Sequence, residues 1–239
     1  MQYLEYLLLG YLVIWPIYIY LTHEKEKQSV IANPEQRIAV YRITMLQLWL
    51  PVMILMILVS QSHISMSDIG LQWQFGLANQ IGVAALVLIG GYFLMSLKRL
   101  SESTENHQAI RKQLAYIQWL MPTSVKESRY FILGVSITAA VCEELLFRGY
   151  LMHMLADYMP TYGVVIISSL AFGLPHLYQG PIHILRTALI GGVMALIYLA
   201  TDSIIVPIVL HAVIDMYSGA LAYLVLRKQP SEIIAEKSR

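Results

Sequence analysis

The sequence predicts an all-α, polytopic transmembrane helical bundle of about seven spans, or eight if one helix is re-entrant, around a conical or water-accessible polar cavity. Three observations predict it. Of the 239 residues, 57% are hydrophobic and only 13% charged, where a soluble domain carries roughly a quarter charged residues. Apolar runs close to the ~20 residues that cross ~30 Å of hydrocarbon recur along the chain. Within those runs, ionisable side chains concentrate in three places only.

In chain order the expected spans cover residues 3–21, 43–60, 79–97, 130–151, 162–177, 184–200 and 204–226. The opening Met-Gln-Tyr-Leu-Glu lacks the basic region of a secretory signal, so the first run is expected to stay as a helix. The fifth and sixth runs are short, which fits helices shielded by neighbours or broken near Pro175 and Pro181. Pro16, Pro51 and Pro207 lie in or at the ends of runs, where adjacent helices can satisfy the freed carbonyls. No internal repeat or low-complexity tract interrupts this pattern. The chain reads as one membrane domain: three accessory spans in residues 1–100, a basic amphipathic surface segment in 101–129, a helical core carrying the chemistry in 130–226, and a basic tail in 227–239.

Charge gives an orientation. Segment 22–42 holds Lys25, Lys27, Arg37 and Arg42; segment 98–129 holds six Lys and Arg; the tail holds four more, and Arg186 flanks the sixth run. Segments 61–78, 152–161 and 201–203 hold none. Seven crossings put the basic segments on one face, so the positive-inside rule predicts a multi-pass cell-membrane protein with its C-terminus cytoplasmic. Net charge is +1, which gives nucleic acid no basic surface; the expected partners are membrane lipids and a peptide or lipopeptide. The single cysteine, Cys142, excludes a disulfide framework and a Cys-rich metal site. In the long basic segment, Ile110, Leu114, Ile117 and Met121 recur at spacings of three and four, as in an amphipathic helix on the membrane surface with Tyr116 and Trp119 as anchors. A brace between the third and fourth spans is favoured there over a substrate-recruiting role. His23, His63 and His107 read as loop residues, and His183 as an interfacial anchor beside Arg186.

The exceptions to this order carry the chemistry. The fourth run reads Cys142-Glu143-Glu144-Leu145-Leu146-Phe147-Arg148-Gly149. Ionisable groups cost at least ~2.5 kcal/mol each at a span centre and face a shared interior or a water-filled cavity. Glu144 and Arg148 share a helical face and can pair; Glu143 points about 100° away, free for another partner. The fifth run adds Phe172 and His176, the ring four residues before the imidazole and able to wall its pocket. The seventh adds His211 and Asp215, again four apart. A lone membrane histidine is more often an interhelical hydrogen bond than a catalyst, but polar sites on three helices are expected to converge. A carboxylate is a competent general base for water, and imidazoles can orient it, donate to an oxyanion or bind a metal. Two histidines and a glutamate also form some catalytic zinc sites. There is no Gly-x-Ser-x-Gly and no His-Glu-x-x-His, and Cys142 has no evident base.

Glu143-Glu144-x-x-x-Arg148, Phe172-x-x-x-His176 and His211-x-x-x-Asp215, in that order, resemble the three motifs of the CPBP intramembrane proteases. That family includes the type II CAAX prenyl endopeptidases and the bacteriocin-processing or immunity (Abi) proteins. The resemblance spans roughly residues 120–225. Its third motif commonly ends in Asn; Asp215 departs from it and adds a carboxylate. The resemblance implies an endopeptidase acting on a lipidated or membrane-associated peptide. In its metal-free version Glu143 with His176 activates water, His211 and Asp215 stabilise the oxyanion, and Glu144 with Arg148 supports them. In its metal version Glu143, His176 and His211 hold zinc. The metal-free version is preferred, since no ligand spacing demands zinc. Alternatives are a catalytically silent scaffold or peptide-binding immunity protein, and a transporter, against which the lack of an inverted repeat weighs. At 1.5 Å per residue, Glu143 and His211 lie ~12–14 Å below the uncharged face, which conflicts with a cytosolic substrate.

Overall fold

A computed structural model of the protein describes residues 2–61 and 64–227. His63 and the tail residues Lys228, Lys237 and Arg239 lie outside the described residues. The elements are α1 (Gln2–Ala32), α2 (Gln36–Ser60), α3 (Leu77–Glu102), α4 (His107–Leu114), α5 (Val125–Ala156), α6 (Thr161–Gln179), α7 (Pro181–Thr201) and α8 (Ile205–Leu226). No strand occurs among the described residues. All but α4 are long and apolar enough to cross a membrane, which gives seven spans. Their alternation brings every described Lys and Arg except Arg148 to one end of the bundle, the basic end.

Two helices outrun their apolar stretches. α1 continues to Ala32 because Glu24 accepts from Lys27 Nζ at 3.2 Å and from Gln28 Nε2 at 2.8 Å, pairs of the kind that keep a polar stretch helical. α2 begins seven residues before its apolar run. Segment 22–42 is therefore two helix ends joined at residues 33–35, and His23 is a half-buried α1 residue rather than a loop residue. His107 likewise opens α4, its Nε2 3.0 Å from the Leu100 carbonyl.

The surface helix is shorter than its periodicity implies. α4 ends at Leu114, and Ile117 and Met121 lie in turns, buried against Tyr41, Phe131 and Ala222. Their apolar face packs on the bundle instead of on lipid. The unwound carbonyls are satisfied from α2: Arg37 Nε donates to Trp119 O at 2.9 Å and Tyr41 OH to Leu120 O at 2.6 Å. The segment is a brace, but one that closes over the helix ends.

α5 is the central helix. Ser124 caps it in a reciprocal box with Glu127, the arrangement that satisfies orphan N–H groups at a helix start. Its course contains two π-helical stretches, Tyr130–Val135 and Leu145–Leu151. Such turns loosen the carbonyl ladder and often mark functional positions. Hydroxyls take up the slack: Ser136 Oγ donates to Phe131 O at 3.0 Å, and Ser168 Oγ of α6 donates to Phe147 O at 2.9 Å. Around α5, Leu8, Leu12 and Trp15 of α1 pack with Leu48, Val52 and Leu55 of α2 in the largest buried cluster. Cys142 is fully buried in that cluster.

The end opposite the basic one is closed. The chain between α2 and α3 folds back into the bundle and buries Ile64 and Ile69 in the same cluster. Ser203 Oγ donates to Gln72 O at 2.6 Å and Ile204 N to Gly70 O at 2.9 Å. Gly149 permits this plug, since a Cβ there would stand 3.0 Å from Ile69 O.

Candidate active site

A cavity of ≈ 370 Å³ runs into the bundle, and its lining follows one face of each contributing helix. On α5 the face is Phe131, Val135, Ala139 and Glu143. On α7 it is Thr187, Ile190 and Met194, and on α8 it is His211, Asp215 and Ser218. Each series has the three-or-four spacing of a helical stripe. Read from the basic end inward, these stripes finish at Glu143, Met194 and His211. Ile117, Leu120 and Met121 of the brace line the outer part together with Tyr178 and Gln179. The cavity thus leads to the basic end, while the plug seals the other. The depth counted from the uncharged face is therefore measured toward the plugged end and away from the mouth of the cavity.

The structure brings the expected residues together in two layers. Glu143, His176, His211, Asp215 and Phe172 line the cavity. Glu144 and Arg148 lie behind them with no exposed surface. Glu144 Oε1 accepts from Arg148 Nη1 at 3.0 Å and lies 2.9 Å from His211 Nδ1. Since that oxygen belongs to a carboxylate already paired with an arginine, Nδ1 carries the proton and donates. His211 Nε2 is left to face the cavity, 3.6 Å from Asp215 Oδ2 and 4.0 Å from Glu143 Oε2. Glu143 has no Lys or Arg within ion-pair distance among the described residues. His176 stands in the last turn of α6, half-buried, with its Nδ1 enclosed and lacking a protein partner.

Phe172 joins the layers. The Arg148 guanidinium lies over its ring at 4.1 Å, and the His211 imidazole meets it edge-on with centroids 5.7 Å apart. The His176 ring is 6.2 Å away. A guanidinium over an aromatic face is held by the ring quadrupole, most strongly where water is excluded.

One participant has no counterpart in the three motifs. Arg148 Nη2 donates to the carbonyl of Gly191 at 2.9 Å. A Cβ at Gly191 would stand 2.9 Å from Phe172 and 3.0 Å from Arg148 Nη2, so α7 can approach only through glycine. The signal for it is the Gly191-Gly192 pair in mid-span, the kind of small-residue patch that lets membrane helices close up.

Glu143, His176 and His211 are the residues that would hold zinc in the metal version. Among the described residues no three His, Cys, Asp or Glu side chains converge in a group that could hold a metal ion. The side chains as they stand do not assemble that ligand set.

Residues 126–217 match the family model of Rce1-like proteins, type II CAAX prenyl endopeptidase. The matched segment is 92 of the chain's 239 residues, and it is this part that is similar to that family. No curated protein and no solved structure gives a significant match. The Rce1-like segment begins at Lys126, in the first turn of α5, and ends at Tyr217, two residues past Asp215. It contains all three motifs, Gly191 and the brace-facing side of α5. It leaves out residues 1–125, which supply the plug, part of the cavity wall and the brace.

Proposed function

We propose that this protein is an intramembrane endopeptidase that hydrolyses a peptide bond of a lipidated or membrane-associated peptide through water activated by Glu143. The observation that carries this reading is Glu143 itself: a buried carboxylate at the inner end of an open cavity, with no Lys or Arg in ion-pair range among the described residues and beside an imidazole whose other nitrogen is fixed. Glu143 takes a proton from water as the oxygen attacks the scissile carbonyl carbon. The carbonyl electron pair moves onto oxygen. His211, protonated on both ring nitrogens among the carboxylates of Glu144, Asp215 and Glu143, donates from Nδ1 to Glu144 and turns its Nε2–H toward that oxyanion, and His176 orients the water from the α6 side. The protonated Glu143 then gives its proton to the departing nitrogen as the C–N bond breaks. The expected gain from such a base is about 10²–10⁴-fold.

Glu144 and Arg148 act in this reading as positioning residues. They fix the His211 ring plane and hold its Nδ1 proton, so that Nε2–H points into the cavity, a role whose loss is costly wherever an imidazole must present one nitrogen. The basic end, and with it the cavity mouth, faces the cytoplasm under the positive-inside rule.

Cleavage of a quenched fluorescent lipopeptide panel by protein in liposomes tests the reading, with Glu143→Ala and His176→Ala alongside. Loss in both, unaffected by chelator, supports carboxylate-activated water; loss with chelator and recovery with zinc moves the reading to a metallopeptidase. Cleavage retained in Glu143→Ala sinks Glu143 as the base, and no cleavage by wild type with partner binding kept in Glu143→Ala moves the reading to a scaffold. For orientation, Cys142 is the only cysteine and is buried, so Ser218→Cys introduces one exposed thiol at the mouth. It is expected to react with an impermeant maleimide in inside-out vesicles and not in right-side-out ones.

A further inference from the structure

A groove of ≈ 1210 Å³ is separate from the cavity and shares no lining residue with it. It lies at the basic end between the α1–α2 junction, the start of α5 and the end of α8. Three cations line it, Arg42, Lys126 and Arg227. Among the described residues none of the three has a carboxylate within 4.0 Å. Arg42 is held in place by neutral contacts, donating from Nη2 to Tyr130 OH at 2.7 Å with its guanidinium 5.2 Å from that ring. Arg227 lies 5.7 Å over the Tyr223 ring. Of the acids lining the groove, Glu127 is buried and already taken by Arg37 at 2.7 Å and by Thr123 N at 2.8 Å. Only Glu35 remains against three positive charges.

Below the groove, toward the centre of the spans, the surface is apolar and uncovered. Ile43, Leu46 and Leu50 of α2 are 49%, 71% and 57% exposed, and Leu133 and Ile137 of α5 are 65% and 40% exposed. The α2 residues fall at i, i+3 and i+7, one strip of the helix. Cations above an uncovered apolar strip, at the depth where headgroups sit, complement an amphiphile with an anionic head and acyl chains.

We propose that this groove binds an anionic phospholipid, its phosphate among Arg42, Lys126 and Arg227 and its chains along Ile43, Leu46, Leu50 and Leu133. A zwitterionic choline lipid would bring its own cation against these three and is disfavoured. The proposal stands apart from the peptidase reading and is tested without measuring cleavage. Native mass spectrometry of the detergent-purified protein is run with phosphatidylglycerol, with phosphatidylcholine, and with glycerol phosphate as the headgroup alone. The variants are Lys126→Ala, the triple Arg42→Ala/Lys126→Ala/Arg227→Ala, and Lys98→Ala/Arg99→Ala as basic changes at the same end outside the groove. Phosphatidylglycerol is expected to be retained at least tenfold over phosphatidylcholine. Retention should fall about fivefold in Lys126→Ala, the scale set by one cation near a membrane surface, by more in the triple, and not in the Lys98/Arg99 variant. Equal retention in wild type and Lys126→Ala overturns the proposal, as does equal loss in the Lys98/Arg99 variant. Glycerol phosphate binding as well as the lipid overturns the lipid as occupant.

Discussion

Arg37 and Glu127 meet at 2.7 Å at the basic end of the bundle, and Arg148 and Glu144 meet at 3.0 Å in its interior. Both pairs are buried, yet they are built to different ends. Both oxygens of Glu127 are used: one takes Arg37, and the other accepts from Thr123 N, Thr123 Oγ1 and Ser124 N at 2.8–3.0 Å. Glu144 puts both Arg148 and His211 on one oxygen and leaves Oε2 without a protein partner; Arg148 Nε is also unpaired. An unsatisfied buried polar group costs about 1–3 kcal/mol, and a buried ion pair is a weak source of stability at best. The first pair fastens the brace to α2. The second accepts that cost while holding an imidazole, which is the arrangement expected of a working site rather than a strut.

Mutations should separate the two, here in descending order of effect on cleavage. Glu143→Gln keeps the shape and removes the base, so turnover should fall by about 10³-fold while the thermal midpoint of the detergent-solubilised protein stays within a few degrees. Glu144→Gln should lower turnover by roughly 10²-fold through a misheld His211, with little change in KM; an unchanged turnover would reduce Glu144 to a strut like Glu127. Gly191→Ala forces Phe172 or Arg148 aside. Overpacking of this kind costs about 1–3 kcal/mol, and turnover should fall about tenfold, in part restored by Phe172→Leu on the same chain. Arg37→Met leaves Glu127 buried and unpaired, which should cost about 3–5 kcal/mol of stability. The folded fraction should nevertheless turn over substrate at nearly the wild-type rate. If Arg37→Met instead abolished turnover in folded protein, the brace would belong to the catalytic apparatus.

What was legible in the sequence is the part set by periodicity. Seven spans follow from apolar length, and the pairing of Glu144 with Arg148 follows from a spacing of four on one helix. The convergence of Glu143, His176 and His211 follows from the exclusion of ionisable groups from lipid. What was not legible depends on neighbours remote in sequence. Arg37 reads as one more topological charge, but its partner is 90 residues on, and it is buried. Glu144 reads as the partner of Arg148, while its second contact, His211, is 67 residues away. The direction of the cavity rests on the plug, a segment without helical period or basic charge, whose Ile64 and Ile69 look like any loop residues until the closed end is seen. Brace residues Ile117 and Met121 carry a helical period that the side-chain bonds of Arg37 and Tyr41 to the Trp119 and Leu120 carbonyls override.

The most direct test of the central claim is the turnover of reconstituted wild type and Glu143→Gln on a membrane-tethered fluorogenic peptide, with the thermal midpoint of each recorded. Efficient cleavage by wild type, and a rate about 10³-fold lower in an equally stable Glu143→Gln, is the predicted result. Equal rates for the two would contradict the account, because the cavity would then lead to a carboxylate with no part in the reaction.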